Sequence, residues 1–262
     1  MTKILKSSIW GKNAMLAFGV MIIGFLGMSI PEWLISADWG AEFRPSALQQ
    51  SVIGIFFGGM MLLMPLSAGI VSGVTQCGEL HASMFCWKLL RSTRKRYIIR
   101  QLTHAFLLSG LVVMGTFVIQ AAIWNCIAYP CDIELYPYHE ILFPEGCLYA
   151  DWYSVSYGIK MYLWIAICLF FCAGIWALVS MATAIWLGDR LMAVVLPTCI
   201  YYLLAMNIIN SLFGWHLPHP ADLYNDALTW ATVPGAILEH LLIGTISVVV
   251  YSMGLRRRLN YA

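Results

Sequence analysis

The chain is poor in charge. Of its 262 residues 11% are Asp, Glu, Lys or Arg and 61% are hydrophobic, with a mean hydropathy of +0.77. A soluble domain carries about 25% charged residues, so this chain lacks the side chains to cover a water-facing surface. It also lacks a polar stretch long enough for a separate soluble domain. No GxxxxGK[ST] loop is present, so the chain alone is not a P-loop ATPase. Neither an HExxH zinc motif nor a GxSxG nucleophile elbow occurs, which argues against an intramembrane hydrolase. The net charge of +2 is too small to point to nucleic acid. The first apolar run has no small-residue cleavage site, so a cleaved signal peptide is not expected.

What is present is long hydrophobic runs. A bilayer core of about 30 Å needs roughly 20 apolar residues per helix. Six segments qualify, at about 13–30, 51–74, 102–124, 158–187, 191–213 and 233–255, within one transmembrane domain covering 1–262. The first ends at Pro31-Glu32, and Pro65 is expected to kink the second. The fourth is longer than a span requires and is expected to tilt or protrude. The expected fold is therefore an all-α membrane protein of six transmembrane helices.

The few charges are unevenly placed. With the N-terminus in the cytosol, thirteen of the fifteen Lys and Arg fall on the inner side, leaving only Arg44 and Lys160 outside. Ten of the thirteen acids fall outside. Cytoplasmic loops collect Lys and Arg, so both termini are expected in the cytoplasm. Trp33, Trp39, Trp124, Trp152, Trp215 and Trp230 then sit near the outer boundary as an aromatic belt.

The largest outer segment, 125–157, carries Cys126, Cys131 and Cys147. An extracytoplasmic loop permits disulfides. The sequence leaves open whether two of the three are bridged, with Cys131 and Cys147 as one pairing, or whether all remain thiols. Cys77, Cys86, Cys168, Cys172 and Cys199 read as small apolar residues. Cys168 and Cys172 stand one helical turn apart with no His near them in sequence, so no metal site is expected. Within the spans Glu239, beside His240, is the one clear ionisable group, and Asn207, Asn210, Gln120 and His104 are placed to bond between helices. The glycines at 54, 58, 69 and 73 allow close helix approach.

One inner connection differs from a plain loop. Between spans two and three, Leu80, Met84, Trp87 and Leu90 recur at helical spacing, with Glu79, Ser83, Lys88 and Arg91 on other faces. This reads as a short amphipathic helix followed by the basic run Arg94-Lys95-Arg96. Such a helix either lies on anionic lipid or docks its apolar face on a cytosolic partner.

Six spans, both ends inside and a helix in the first inner loop resemble the ABC-2-type exporter permeases, including their bacteriocin-immunity and multidrug-export members. The resemblance covers the whole chain in topology. In motif it rests on Gly78-Glu79, the helix through Leu90, and Ser92-Thr93-Arg94-Lys95-Arg96-Tyr97. Two departures stand beside it: a shorter segment before the first span, and a longer, Cys-bearing middle outer loop.

The resemblance implies a permease subunit of a bacterial cytoplasmic membrane exporter for a peptide-like or amphipathic substrate. It implies a coupling loop carrying Glu79, Met84, Trp87, Leu90 and Arg94, with the Gly188-Asp189-Arg190 turn as a weaker second contact. Its partners would be cytosolic ABC ATPase subunits holding ATP and Mg, a second permease chain and the bilayer, with no cofactor in this chain. A haem-bearing membrane anchor of a redox complex is the alternative, and it requires two His at matched depth. His104 and His240 stand at different depths, which counts against it. A passive membrane scaffold is a further class.

Overall fold

The computed structural model describes residues 2–37, 47–48, 50–51, 59–82, 88, 90–128, 152, 158–205 and 231–260. Among them every regular element is helical. In chain order these are α1 (Thr2–Ala37), α2 (Gly59–Ala68), a π-helical turn (Gly69–Gly73), α3 (Val74–His81), α4 (Arg94–Ile127), α5 (Ile159–Leu187), α6 (Met192–Ala205) and α7 (Val233–Asn260).

Four of these are long and apolar enough to cross a bilayer: α1 over Trp10–Pro31, α4, α5 and α7. The chain is thus read as a multi-pass membrane protein. The expected second span is represented by α2, the π-helical turn and α3, and residues 52–58, with Gly54 and Gly58, lie outside the described residues. The expected fifth is represented by the 14-residue α6, and residues 206–213 lie outside the described residues. The first helix does not stop where the sequence suggests: α1 continues through Pro31 to Ala37. A proline is tolerated inside a membrane helix where neighbouring groups restore the lost backbone bonding. Just before the proline, Ser29 donates back to Phe25 O at 2.8 Å and accepts from Gln120 Nε2 of α4 at 3.1 Å, tying this part of α1 to α4.

Alongside an apolar core, burial differs from that of a soluble protein in two ways. Gln76, Gln101, Ser109, Thr116, Gln120 and Ser180 are buried, whereas Met15, Ile23, Leu163, Leu241 and Ile246 are exposed. A bilayer supplies no hydrogen bonds, so polar side chains turn inward and apolar ones cover the outside. Between such helices, close packing and hydrogen bonds provide the association, because lipid tails are as apolar as the side chains.

α5 is the centre. It packs against α2, the π-helical turn, α3, α4, α6 and α7, and both its ends are set by glycines with positive φ, Gly158 at 72° and Gly188 at 70°. At about 1.5 Å per residue its 29 residues exceed a bilayer core, in line with the extra length read from the sequence.

Its contact with α4 is reciprocal. A Cβ on Gly110 of α4 would lie 2.6 Å from the Phe170 ring, and one on Gly174 of α5 would lie 2.6 Å from the Phe106 ring. Each glycine therefore receives the other helix's aromatic. Gly69 and Gly73 do the same for backbone: Cβ atoms there would meet Val194 Cα and Ala193 O of α6, each at 2.9 Å.

Contacts along the helices also fix their directions. Trp10 meets His104 and Trp33 meets Trp124, so α1 and α4 run parallel. Phe106 meets Phe170 and Asn125 bonds Tyr162, so α5 runs against α4. Cys172 meets His240 and Trp186 bonds Val250 O, so α7 runs with α5. These directions gather the Trp10 end of α1, α3, the start of α4, the Gly188-Asp189-Arg190 turn and the Arg256–Arg258 end of α7 at one end of the bundle. Arg94 Nη2 donates to Ser252 O at 3.2 Å, and Arg258 Nε donates to Ile185 O at 2.8 Å, tying that basic end together.

Candidate functional site

The densest polar cluster lies at this basic end, between α3, α4 and α7. Its centre is Glu79, on the last turn of α3 and only 3% exposed. A buried carboxylate is costly unless paired and hydrogen-bonded. Both conditions are met: Lys88 forms an ion pair with Glu79 Oε2, and Gln101 Nε2 of α4 donates to the same oxygen at 2.5 Å. Gln101 also reaches the Tyr97 hydroxyl at 3.4 Å. Buried Tyr251 of α7 and Gln76 of α3 face the same phenol.

The local reason is legible turn by turn. Gln76 and Glu79 lie three apart on one face of α3, and Tyr97 and Gln101 four apart on one face of α4, so each helix presents a polar pair. The pairs meet where Gln101 donates to Glu79.

That connection is held to the bundle at both sides. Lys88 grips Glu79, and at the far side Arg94 grips Ser252 O. Ser92 donates to Lys88 O at 2.9 Å, and α4 begins after Thr93 with extended backbone (φ −63°, ψ 146°). Between these anchors Leu90 is 80% exposed. The geometry is a braced loop that presents an apolar side chain outward. Of the expected coupling residues, the structure puts Glu79 inside the bundle as the brace, Leu90 on the surface and Arg94 in a capping contact with α7. Met84 and Trp87 lie outside the described residues.

The turn read as a second contact sits beside this cluster. Asp189 Oδ1 accepts from Met192 N at 2.8 Å and so starts α6, while Asp189 O accepts from the Cys77 thiol at 3.3 Å. Cys77 lies on α3, past the expected second span. Burial, with the Asp189 charge second, pushes its thiol from 9.0 up to about 11. It is an inert, hydrogen-bonded side chain. Arg257 lies over the Trp186 ring at 5.3 Å and adds a cation–π contact to the same end.

A second polar contact lies deeper. His240 Nε2 of α7 meets Cys172 Sγ of α5 at 3.3 Å, and His240 Nδ1 meets Ala236 O at 2.9 Å. A carbonyl only accepts, so Nδ1 carries the proton and Nε2 takes the thiol hydrogen. Glu239 beside it is half-buried, with its carboxylate in electrostatic reach of Cys172. Among the described residues no group of three or more His, Cys, Asp or Glu is arranged to hold a metal ion. Asn207 and Asn210 lie outside the described residues, as do Cys131 and Cys147, and Cys126 is a free thiol. His104 packs edge-on against Trp10 of α1, ring centroids 4.5 Å apart.

Gln101, Gln76 and Tyr251 are the cluster members that sequence reasoning passed over, and Lys88 was read only as a polar-face residue of the amphipathic helix. The available signal was the amide pair Gln76 and Gln101 flanking an otherwise apolar helix pair, since buried amides in membrane helices seek partners. No protein-family model, no curated protein and no solved structure matches this chain.

Proposed function

We propose that the chain is the permease subunit of an ATP-driven exporter of the ABC-2 type, with six spans and both termini in the cytoplasm of a bacterial inner membrane. The observation that carries this reading is the braced loop between α3 and α4. A loop meant only to connect two helices has no need of a buried ion pair at one side and a cation on a helix carbonyl at the other. A loop that receives force from a partner does, because a slack lever transmits nothing. The exposed Leu90 supplies the apolar contact that a groove on a cytosolic ATPase would accept.

In this reading Glu79 is a positioning residue. It holds Lys88, and through it the loop, against α4, so that movement of the loop is passed to α4 and α7. The ATP chemistry belongs to the partner chain, which would bind ATP and Mg. A second permease chain would complete the pathway for a peptide-like or amphipathic substrate. The basic end of the bundle faces the cytoplasm, in keeping with the placement of Lys and Arg.

The test is purification of the tagged chain from its native membrane in mild detergent, with mass spectrometry of what travels with it. A stoichiometric P-loop ATPase is expected, lost in a Leu90→Asp variant that still inserts into the membrane. Purification without an ATPase, or an ATPase retained equally by L90D, overturns the assignment.

A further inference from the structure

The outer face of α4 carries a groove that the permease reading does not use. It holds about 610 Å³ and is lined by Thr93, Lys95, Arg96, Ile99, Arg100, Thr103, His104 and Leu107. Arg96, Arg100, Thr103 and Leu107 follow one another at helical spacing, so they form a single stripe down the helix. The stripe changes character along its length. Lys95, Arg96 and Arg100 are exposed cations at its start, Thr103 and His104 are exposed polar groups in its middle, and Leu107 is an exposed apolar side chain at its far end. Ile99 is exposed beside the cations. From Thr93 to Leu107 the helix rises about 21 Å, the distance from a headgroup layer into the acyl region.

Charge complementarity selects the occupant. No acidic residue occurs in the sequence between Glu79 and Asp132, and Glu79 is buried and paired with Lys88. The three cations of the groove therefore face outward with no carboxylate of their own segment to neutralise them. Beyond Arg100 the helix carries no Lys, Arg, Asp or Glu as far as Ile127, so the cations sit at the point where the helix enters the bilayer.

We propose that this groove binds one anionic phospholipid, its phosphate between Arg96, Arg100 and Lys95 and one acyl chain along Leu107. Arginine suits the planar pair of phosphate oxygens and lysine adds a point charge. The Thr103 hydroxyl lies one turn below Arg100, where a glycerol or ester oxygen would stand. The proposal rests on the bundle crossing a bilayer and not on the exporter reading, so either fails without the other.

The experiment is native mass spectrometry of the full chain in detergent titrated with dioleoylphosphatidylglycerol or dioleoylphosphatidylcholine. One phosphatidylglycerol is expected to stay bound where phosphatidylcholine does not. The R96Q/R100Q pair should weaken that retention about thirtyfold, the share of two cations near a membrane surface. The exposed pair Lys12→Gln/Arg256→Gln, of equal charge change and outside the groove, should leave it intact. Equal weakening by both pairs would mean a diffuse basic surface and overturn the site, as would displacement by millimolar glycerol phosphate. Should R96Q/R100Q fail to fold, a photo-crosslinker at Leu107 in mixed-lipid nanodiscs decides instead: preferential capture of phosphatidylglycerol supports the site, and equal capture of both lipids ends it.

Discussion

Two of the buried polar contacts of the bundle solve the same problem by different chemistry. Around Glu79 a full charge is taken out of water and answered with an ion pair and an amide. Between Cys172 and His240 no charge is created at all: a neutral imidazole accepts from a thiol. The difference follows depth. Glu79 sits at the basic end, where the Lys88 ammonium, itself buried, answers the carboxylate directly. Cys172 is wholly buried in the most enclosed helix, and its partner is an imidazole. The two contacts are thus graded from an ionic pair at the basic end to a thiol–imidazole pair deeper in the bundle.

Substitution at the two contacts tests that grading. The largest loss is expected for Glu79→Ala, which strands Lys88 and Gln101 together. Breaking a buried pair by removing one partner costs about 3–5 kcal/mol, and both charged ends of this pair are buried. Thermal unfolding in detergent reads it. Glu79→Gln should fall between, since an amide oxygen still accepts from Gln101; equal behaviour of E79Q and wild type would show that the ion pair contributes nothing.

A smaller loss is expected for Cys172→Ala. Interhelical hydrogen bonds in membranes contribute about 0.6 kcal/mol on average, and the neutral pair should behave as one of these. A loss as large as that of E79A would mean that the deeper contact is ionic after all and would erase the distinction.

The smallest effect at neutral pH belongs to Cys77, which lies at the charged end yet is buried. Its folded thiol ionises near 11 against 9.0 ordinarily, so folded and unfolded chains hold the same proton below pH 9. Between pH 9 and 11 the unfolded thiol ionises first, and stability falls over that window. Mass-spectrometric mapping of alkylation at pH 8 should find exposed Cys126 modified and Cys77 untouched. Rapid modification of Cys77 would show that the α3 end opens readily.

The helices were readable in advance because a hydrophobic run of span length has few alternatives. Segments 102–124 and 233–255 fall inside α4 and α7, and 158–187 coincides with α5 but for Gly158. Gln120 was legible as an interhelical donor, since an amide in such a run must find a partner, and it bonds Ser29. Gly69 and Gly73 were legible as a place of close approach and are packed on α6. The extent of α1 was not, because Pro31 removes a backbone donor and reads as a stop along the chain, whereas the helix continues to Ala37.

Glu79 shows the same limit at the candidate site. Read along the chain it opens an amphipathic loop, and its acidity suggests a surface. Its partner Gln101 lies 22 residues on, and Tyr251 lies on another helix. His240 likewise stands 68 residues from Cys172, so no local spacing could join them.

The sequence by itself determined the medium and the building blocks: too little charge to face water, hydrophobic runs long enough to cross a bilayer, and cations crowded into a few connections. These are sums over local composition, and the transfer energy of each segment depends on little else. Only the tertiary structure decided which face of each helix turns inward. Lipid-facing and core side chains are equally apolar, so their pattern carries no direction until a neighbouring helix supplies a glycine to receive a Phe, or a lysine to answer a carboxylate.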